Sequence, residues 1–140
     1  MWPKQWISFV AAGTVIFDTD VLIWAERGNE KALEVISDSA ERAVSIYTYM
    51  ELLQGARNAS ESAAIKTFLT EGAFQVLPLT ENVGHRALIY VEEYSRSSGM
   101  RASDALIAAT AIENGFMLVS GNQKHYKPIR ELSFKAFKPN

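Results

Sequence analysis

Four short runs of β-forming residues punctuate this chain, and each is separated from the next by a stretch with room for a helix. The runs are Thr14 to Phe17, Ala43 to Tyr47, Phe74 to Leu79 and Phe116 to Val119, with Leu132 to Phe137 as a candidate fifth. Val15-Ile16-Phe17 and Met117-Leu118-Val119 are apolar throughout, as strands buried in a sheet are. Strands that alternate with helices build a parallel sheet covered on both faces. The expectation is an α/β fold: one domain with a central, mostly parallel sheet of four to five strands, flanked by helices on both faces.

The intervening stretches carry helical signals. Val21 to Ala25 reads as a short helix stopped near Gly28. Glu30 to Ala43 has Ala32, Leu33, Val35, Ile36 and Ala40 at near-helical spacing. Thr48 opens a helix through Leu52, Leu53 and Ala56, and Ser60 to Glu71 forms another. Thr80 to Ser97 turns Val83, Ala87, Leu88, Val91 and Tyr94 to one face. Ser103 caps an apolar helix from Asp104 to Asn114, which Gly115 closes.

Composition narrows the chemistry. Across 140 residues there is no cysteine, which excludes disulfides, thiolate metal sites and thiol nucleophiles. The net charge of -2 carries no global basic field, so any contact with nucleic acid has to come from a local patch. No run approaches the ~20 apolar residues of a membrane span, and a cytoplasmic protein is expected. Residues 1–13 read as an N-terminal extension ahead of the fold rather than a cleaved secretory signal, since the charged region before Trp6 is minimal. Trp2 and Trp6 in that extension are candidate contacts for a partner.

Three acidic residues sit where strands end or helices begin: Asp18, Glu51 and Asp104. Each has a structural reading beside a functional one. Asp18 suits a helix cap, and Asp20 a turn residue or cap. Thr48-x-x-Glu51 has the form of a capping box. Asp104 lies in a first helical turn, where the dipole favours negative charge. Strand-to-helix junctions of a parallel sheet, however, converge at one end, where such sheets hold their ligands. Carboxylates gathered there repel one another unless a cation intervenes. Oxygen donors suit Mg²⁺ or Mn²⁺, and the matching chemistry is metal-assisted hydrolysis of a phosphodiester.

These residues also resemble a known family. Phe17-Asp18-Thr19-Asp20-Val21-Leu22-Ile23 resembles the opening hhDTNhhh segment of PIN domains. Tyr49-Met50-Glu51-Leu52-Leu53-Gln54-Gly55-Ala56 is similar to their second motif, and Ser103-Asp104-Ala105-Leu106-Ile107-Ala108-Ala109-Thr110-Ala111 to their third. Leu118 to Tyr126 resembles the last strand with its Thr-x-Asn-x-x-Asp/His-Phe loop. The likeness implies a single PIN-like domain over residues 14–137, of the kind found in small VapC-type toxins.

The resemblance further implies a Mg²⁺- or Mn²⁺-dependent endoribonuclease, homodimeric, that cuts RNA and is restrained by a cognate antitoxin protein. By position, Asp18, Glu51 and Asp104 would bind the metal, with Thr19 as a supporting hydroxyl. Two departures stand out. Asp20 replaces the usual asparagine, and the last loop offers Asn122 and His125 where a fourth acidic residue is expected. Asn122 keeps a place in the catalytic set, and the missing charge puts a tight second metal site in doubt.

Arg57, Arg101, Lys124, His125 and Lys127 are candidates for RNA phosphate contact, whereas His85 reads as structural or surface. Two other functions remain open. A PIN-like domain can bind RNA or protein without cutting. Asp18-Thr19-Asp20-Val21-Leu22 also brushes the Asp-x-Asp-x-Thr/Val opening of haloacid-dehalogenase-type phosphatases, in which the first aspartate is a phosphoryl acceptor.

Overall fold

The structure, a computed structural model, describes residues 13–140. The readings of residues 1–12, Trp2 and Trp6 among them, lie outside the described residues. In chain order the elements are β1 (Val15–Phe17), α1 (Thr19–Glu26), α2 (Glu30–Ser37), β2 (Arg42–Ser45), α3 (Ile46–Gln54) and α4 (Ala59–Glu71). They continue with β3 (Phe74–Leu77), α5 (Glu81–Ser98), α6 (Ala102–Asn114), β4 (Met117–Ser120), α7 (Gln123–Tyr126) and β5 (Phe134–Ala136).

The sheet has five strands in the order β3-β2-β1-β4-β5, and every pairing is parallel. The chain builds outward from β1 to β3, then crosses back to lay β4 and β5 on the other side of β1. That reversal opens a crevice beyond the carboxyl ends of β1 and β4, where Phe17 lies opposite Val119.

Alternation along the strands divides the core in two. Ile16, Ala43 and Leu118 face a cluster with Val83, Ala87 and Tyr90 of α5 and the buried face of α6. Val15, Phe17, Val44 and Val119 face the opposite cluster, with Val21, Leu22, Ala32, Leu52, Ile65 and Leu69 from α1 to α4. Each large apolar side chain sealed this way contributes about 1.5–3 kcal/mol. Ala105, Ala108, Ala109 and Ala111 are fully buried. Their small side chains let α6 approach both α5 and the sheet.

Several boundaries differ from the sequence expectation. Strand β2 stops at Ser45, whose Oγ accepts the Tyr47 N–H at 3.1 Å, so α3 begins at Ile46 rather than Thr48. A local serine cap here overrides the β preference of Ile46 and Tyr47. Helix α2 ends at Ser37, because the chain from Arg42 is drawn into the sheet. Helix α6 starts at Ala102 with Arg101, not Ser103, at the cap. On α5, Tyr90 is buried and Leu88 is exposed, and the helix closes on Gly99 in the left-handed region (φ 70°).

Candidate metal centre

Asp18 extends the sheet by one residue, its N–H donating to the Val119 carbonyl at 3.0 Å, and it caps α1. The capping role and a role in the cleft therefore coexist. Its Oδ1 accepts the Thr19 N–H at 2.8 Å. Its Oδ2 accepts two hydroxyls, Ser120 Oγ at 2.7 Å and Tyr126 OH at 3.0 Å. Burial, seconded by the charge of Asp20, raises its pKa to about 6, while the hydroxyl and N–H donors pull the other way. Burial also pushes the Tyr126 phenol well above its ordinary range, so the phenol stays a donor.

Asp20 is not the cap of α1. Its Oδ1 accepts the Val21 N–H at 2.8 Å, and its Oδ2 accepts the Gly121 N–H at 2.9 Å. It thereby joins the β1–α1 turn to the loop after β4. A Cβ on residue 121 would stand 2.6 Å from Asp20 Oδ2 and 3.3 Å from the Phe137 carbonyl, so the approach requires glycine. Burial raises the Asp20 pKa, and the charge of Asp104 adds to the rise.

Glu51 does not form the capping box that its spacing from Thr48 suggests. Helix α3 begins at Ile46, so Thr48 is the third helical residue and Glu51 the sixth, beyond reach of the helix start. Instead Thr19 Oγ1 donates to Glu51 Oε1 at 2.7 Å and lies 3.1 Å from the buried Thr48 hydroxyl. Asp104 does reach back, as the third residue of α6, to accept the Arg101 N–H at 3.1 Å. The same Oδ2 meets His125 Nδ1 at 2.9 Å. Asn122 lies against both, its amide nitrogen 3.4 Å from Asp104 Oδ1 and 2.8 Å from His125 Nδ1.

These groups border one cleft of about 480 Å³, lined by Asp18, Thr19, Asp20, Glu51, Asp104 and Asn122, with Ser103 and Gly121 and an apolar floor of Ile23 and Ile107. All five expected catalytic residues are thus brought together. Among the described residues no lysine, arginine or histidine lines the cleft that the four carboxylates share, and His125 touches Asp104 from outside the lining. No group of three or more His, Asp or Glu side chains among the described residues is placed to hold a metal ion as it stands. The donor set nonetheless fits a hard divalent ion that keeps several waters and takes only a few carboxylates directly.

The phosphate-contact candidates lie outside the lining. Arg101, Lys124 and Lys127 are exposed. His125 is turned onto Asp104, and Arg57 is engaged by Glu61 at 2.8 Å. His85 is on the surface, 3.5 Å from Glu81. Sequence reasoning missed Ser120, Tyr126 and the bridging role of Asp20. The available signal was a serine closing an apolar strand, followed by a tyrosine in the adjoining loop.

A fully parallel α/β domain with a carboxylate cleft at its strand reversal is the class of protein these elements define. The chain belongs to the PIN domain family, whose model matches residues 15–130. It is similar to Ribonuclease VapC1 of Rickettsia felis, 32% identical over 124 residues, covering 84% of this chain and 92% of the relative. Its fold matches a toxin–antitoxin complex from Klebsiella pneumoniae with a TM-score of 0.74 at 23% identity, covering 90% of this chain and 98% of the other. It also matches VapBC2 of Rickettsia felis, solved bound to a DNA fragment from its promoter, with a TM-score of 0.73 at 19% identity and coverage of 89% and 99%. No helix among the described residues is long and apolar enough to cross a membrane.

Proposed function

We propose that this chain is a Mg²⁺- or Mn²⁺-dependent endoribonuclease and the toxin member of a toxin–antitoxin pair, acting in the cytoplasm. The observation that carries the reading is that one cleft holds Asp18, Asp20, Glu51 and Asp104, with no lysine or arginine among the described residues of its lining. Membership of the PIN family and kinship with a ribonuclease support it. Asp18, Glu51 and Asp104 would hold the metal, which supplies activation of water and neutralises charge building on the phosphodiester.

The protein groups do the positioning. Thr19 holds Glu51, and the Arg101 N–H and His125 hold Asp104. Asn122 offers an amide to a ligand oxygen at the cleft edge. Arg101 and Lys124, exposed nearby, supply phosphate contacts for RNA.

A groove of about 970 Å³ between α1, α3 and α4 opens beside the cleft and shares Glu51 and Ile23 with it. Its walls include Leu33, Leu52, Ile65 and Phe68, and its acidic residues are Glu26, Glu51 and Glu61. Arg27 and Arg57 stand in the same lining, and an antitoxin segment with an apolar face matches it. A second copy of the chain completes the assembly as a homodimer.

The test is cleavage of a panel of labelled RNAs, structured tRNA included, by antitoxin-free protein with Mg²⁺, Mn²⁺ or EDTA. Cutting should require the metal and fall about 100-fold or more in Asp104→Asn, the scale of several kcal/mol of lost charge stabilisation. Unchanged cutting by that variant sinks the assigned site. One feature favours a second reading, binding without cleavage: the last loop carries Asn122 and His125 in place of a further carboxylate. Tight RNA binding without any cutting would select it.

A further inference from the structure

Asp18 is gripped by three donors, and the grip is one-sided. A carboxylate oxygen has about two acceptor positions. Both on Oδ2 are taken, one by Ser120 Oγ and one by Tyr126 OH. On Oδ1 one is taken, by the Thr19 N–H, and none of the other described residues donates to it. The Tyr126 hydroxyl has no comparable freedom to leave. Its ring is 1% exposed, stacks on Phe134 with centroids 5.7 Å apart, and is packed in the core cluster with Ile129 and Leu132. The mechanism above uses Asp18 as a ligand and leaves this phenol unexplained.

We propose that Tyr126 is a positioning residue for the metal centre: its hydroxyl, with that of Ser120, pins Oδ2 of Asp18 inward and leaves Oδ1 as the one oxygen offered to the cation. Without the Tyr126 hydroxyl Oδ2 keeps a single donor, the carboxylate gains freedom to turn, and a buried charged oxygen loses a partner. Outer-shell donors of this kind fix a ligand's orientation, and their loss weakens metal binding about 10-fold or more. The inference rests on the metal-dependent reading of the cleft.

The experiment measures Mn²⁺ binding to the full chain by electron paramagnetic resonance of the free ion, for wild type, Tyr126→Phe, Ser120→Ala and Asp18→Asn. RNA cleavage is followed in parallel, and melting curves are taken without metal. Tyr126→Phe keeps the ring and therefore the packing. Expected are Mn²⁺ binding about 10-fold weaker than wild type, a lower kcat, an unchanged KM for RNA, and a larger loss when Ser120→Ala is added. Wild type that binds Mn²⁺ and cuts RNA, beside a Tyr126→Phe variant that binds and cuts equally well, overturns the positioning role alone. Wild type that binds no Mn²⁺ overturns the metal-dependent reading and the inference with it. A Tyr126→Phe variant whose KM rises while its Mn²⁺ affinity holds also overturns the inference, because the phenol then serves RNA rather than the cation.

Discussion

The inner end of the cleft is made of strand termini and the outer end of helices, and the carboxylates at the two ends are held differently. Asp18 and Asp20, at the inner end, accept buried hydroxyls and backbone N–H groups from the β4 edge and the loop after it. Glu51 and Asp104, at the outer end, lean on a half-buried threonine and histidine and on one cap N–H. The inner donors are fixed by the sheet and cannot follow a moving ligand. Two of the outer partners, Thr19 and His125, are half-buried side chains that can turn. The rigid end also bears the electrostatic cost, since the pKa of Asp18 is raised to about 6. The cleft thus pairs carboxylates preset by the sheet edge with carboxylates held in part by side chains that can turn.

The sharpest way to break this contrast is pH. Asp18 stays protonated in the folded protein from its ordinary 3.8 up to about 6, a window in which the unfolded chain has already released that proton. Its contribution to the stability of metal-free protein is therefore complete below pH 3.8 and lost as pH rises through about 6. The full span is about 3 kcal/mol. Urea midpoints of wild type and Asp18→Asn, compared from pH 4 to 7 without metal, should diverge by that slope. Parallel curves would remove the cost from the inner end.

The next effect is steric. Gly121→Ala places a methyl group against Oδ2 of Asp20, whose carboxylate is held by the Val21 N–H on Oδ1 and the Gly121 N–H on Oδ2. A loss of about 1–3 kcal/mol in unfolding free energy is expected, the range for overpacking a site that cannot yield. A stability equal to wild type would mean that the inner end adjusts after all. The smallest effect belongs to the outer end. Thr19→Val removes the donor to Glu51. It should weaken Mn²⁺ binding by no more than about 10-fold while the KM for RNA holds. A loss exceeding that of Tyr126→Phe would reverse the ranking of the two ends.

The alternation of β-formers and helical stretches was enough to read a parallel sheet, and the carboxylates at its junctions were enough to read the cleft. The capping-box spacing of Thr48 and Glu51 pointed the wrong way, because Ser45 starts α3 three residues ahead of Thr48. Capping patterns are local and recur by chance, whereas the partner of Glu51 is Thr19, 32 positions away. Arg101 rather than Ser103 caps α6 for a related reason: Asp104 reaches back to its N–H. Ser120 and Tyr126 escaped notice because neither is charged. A serine ending a strand and a tyrosine in a loop announce no chemistry until the fold brings them, 102 and 108 positions away, onto one oxygen of Asp18.

That separation bears on when the centre comes into being during synthesis. By the time a ribosome has delivered Leu77, the strands β1, β2 and β3 exist and can pair among themselves. Asp18 then has no Val119 carbonyl beside its N–H and no hydroxyl on Oδ2. Long-range closures of this kind are slow to form and arrive late. A nascent or prematurely ended chain accordingly has the first acidic motif but no assembled centre. The contacts that hold Asp18 need the segment from Met117 to Tyr126 docked beside β1.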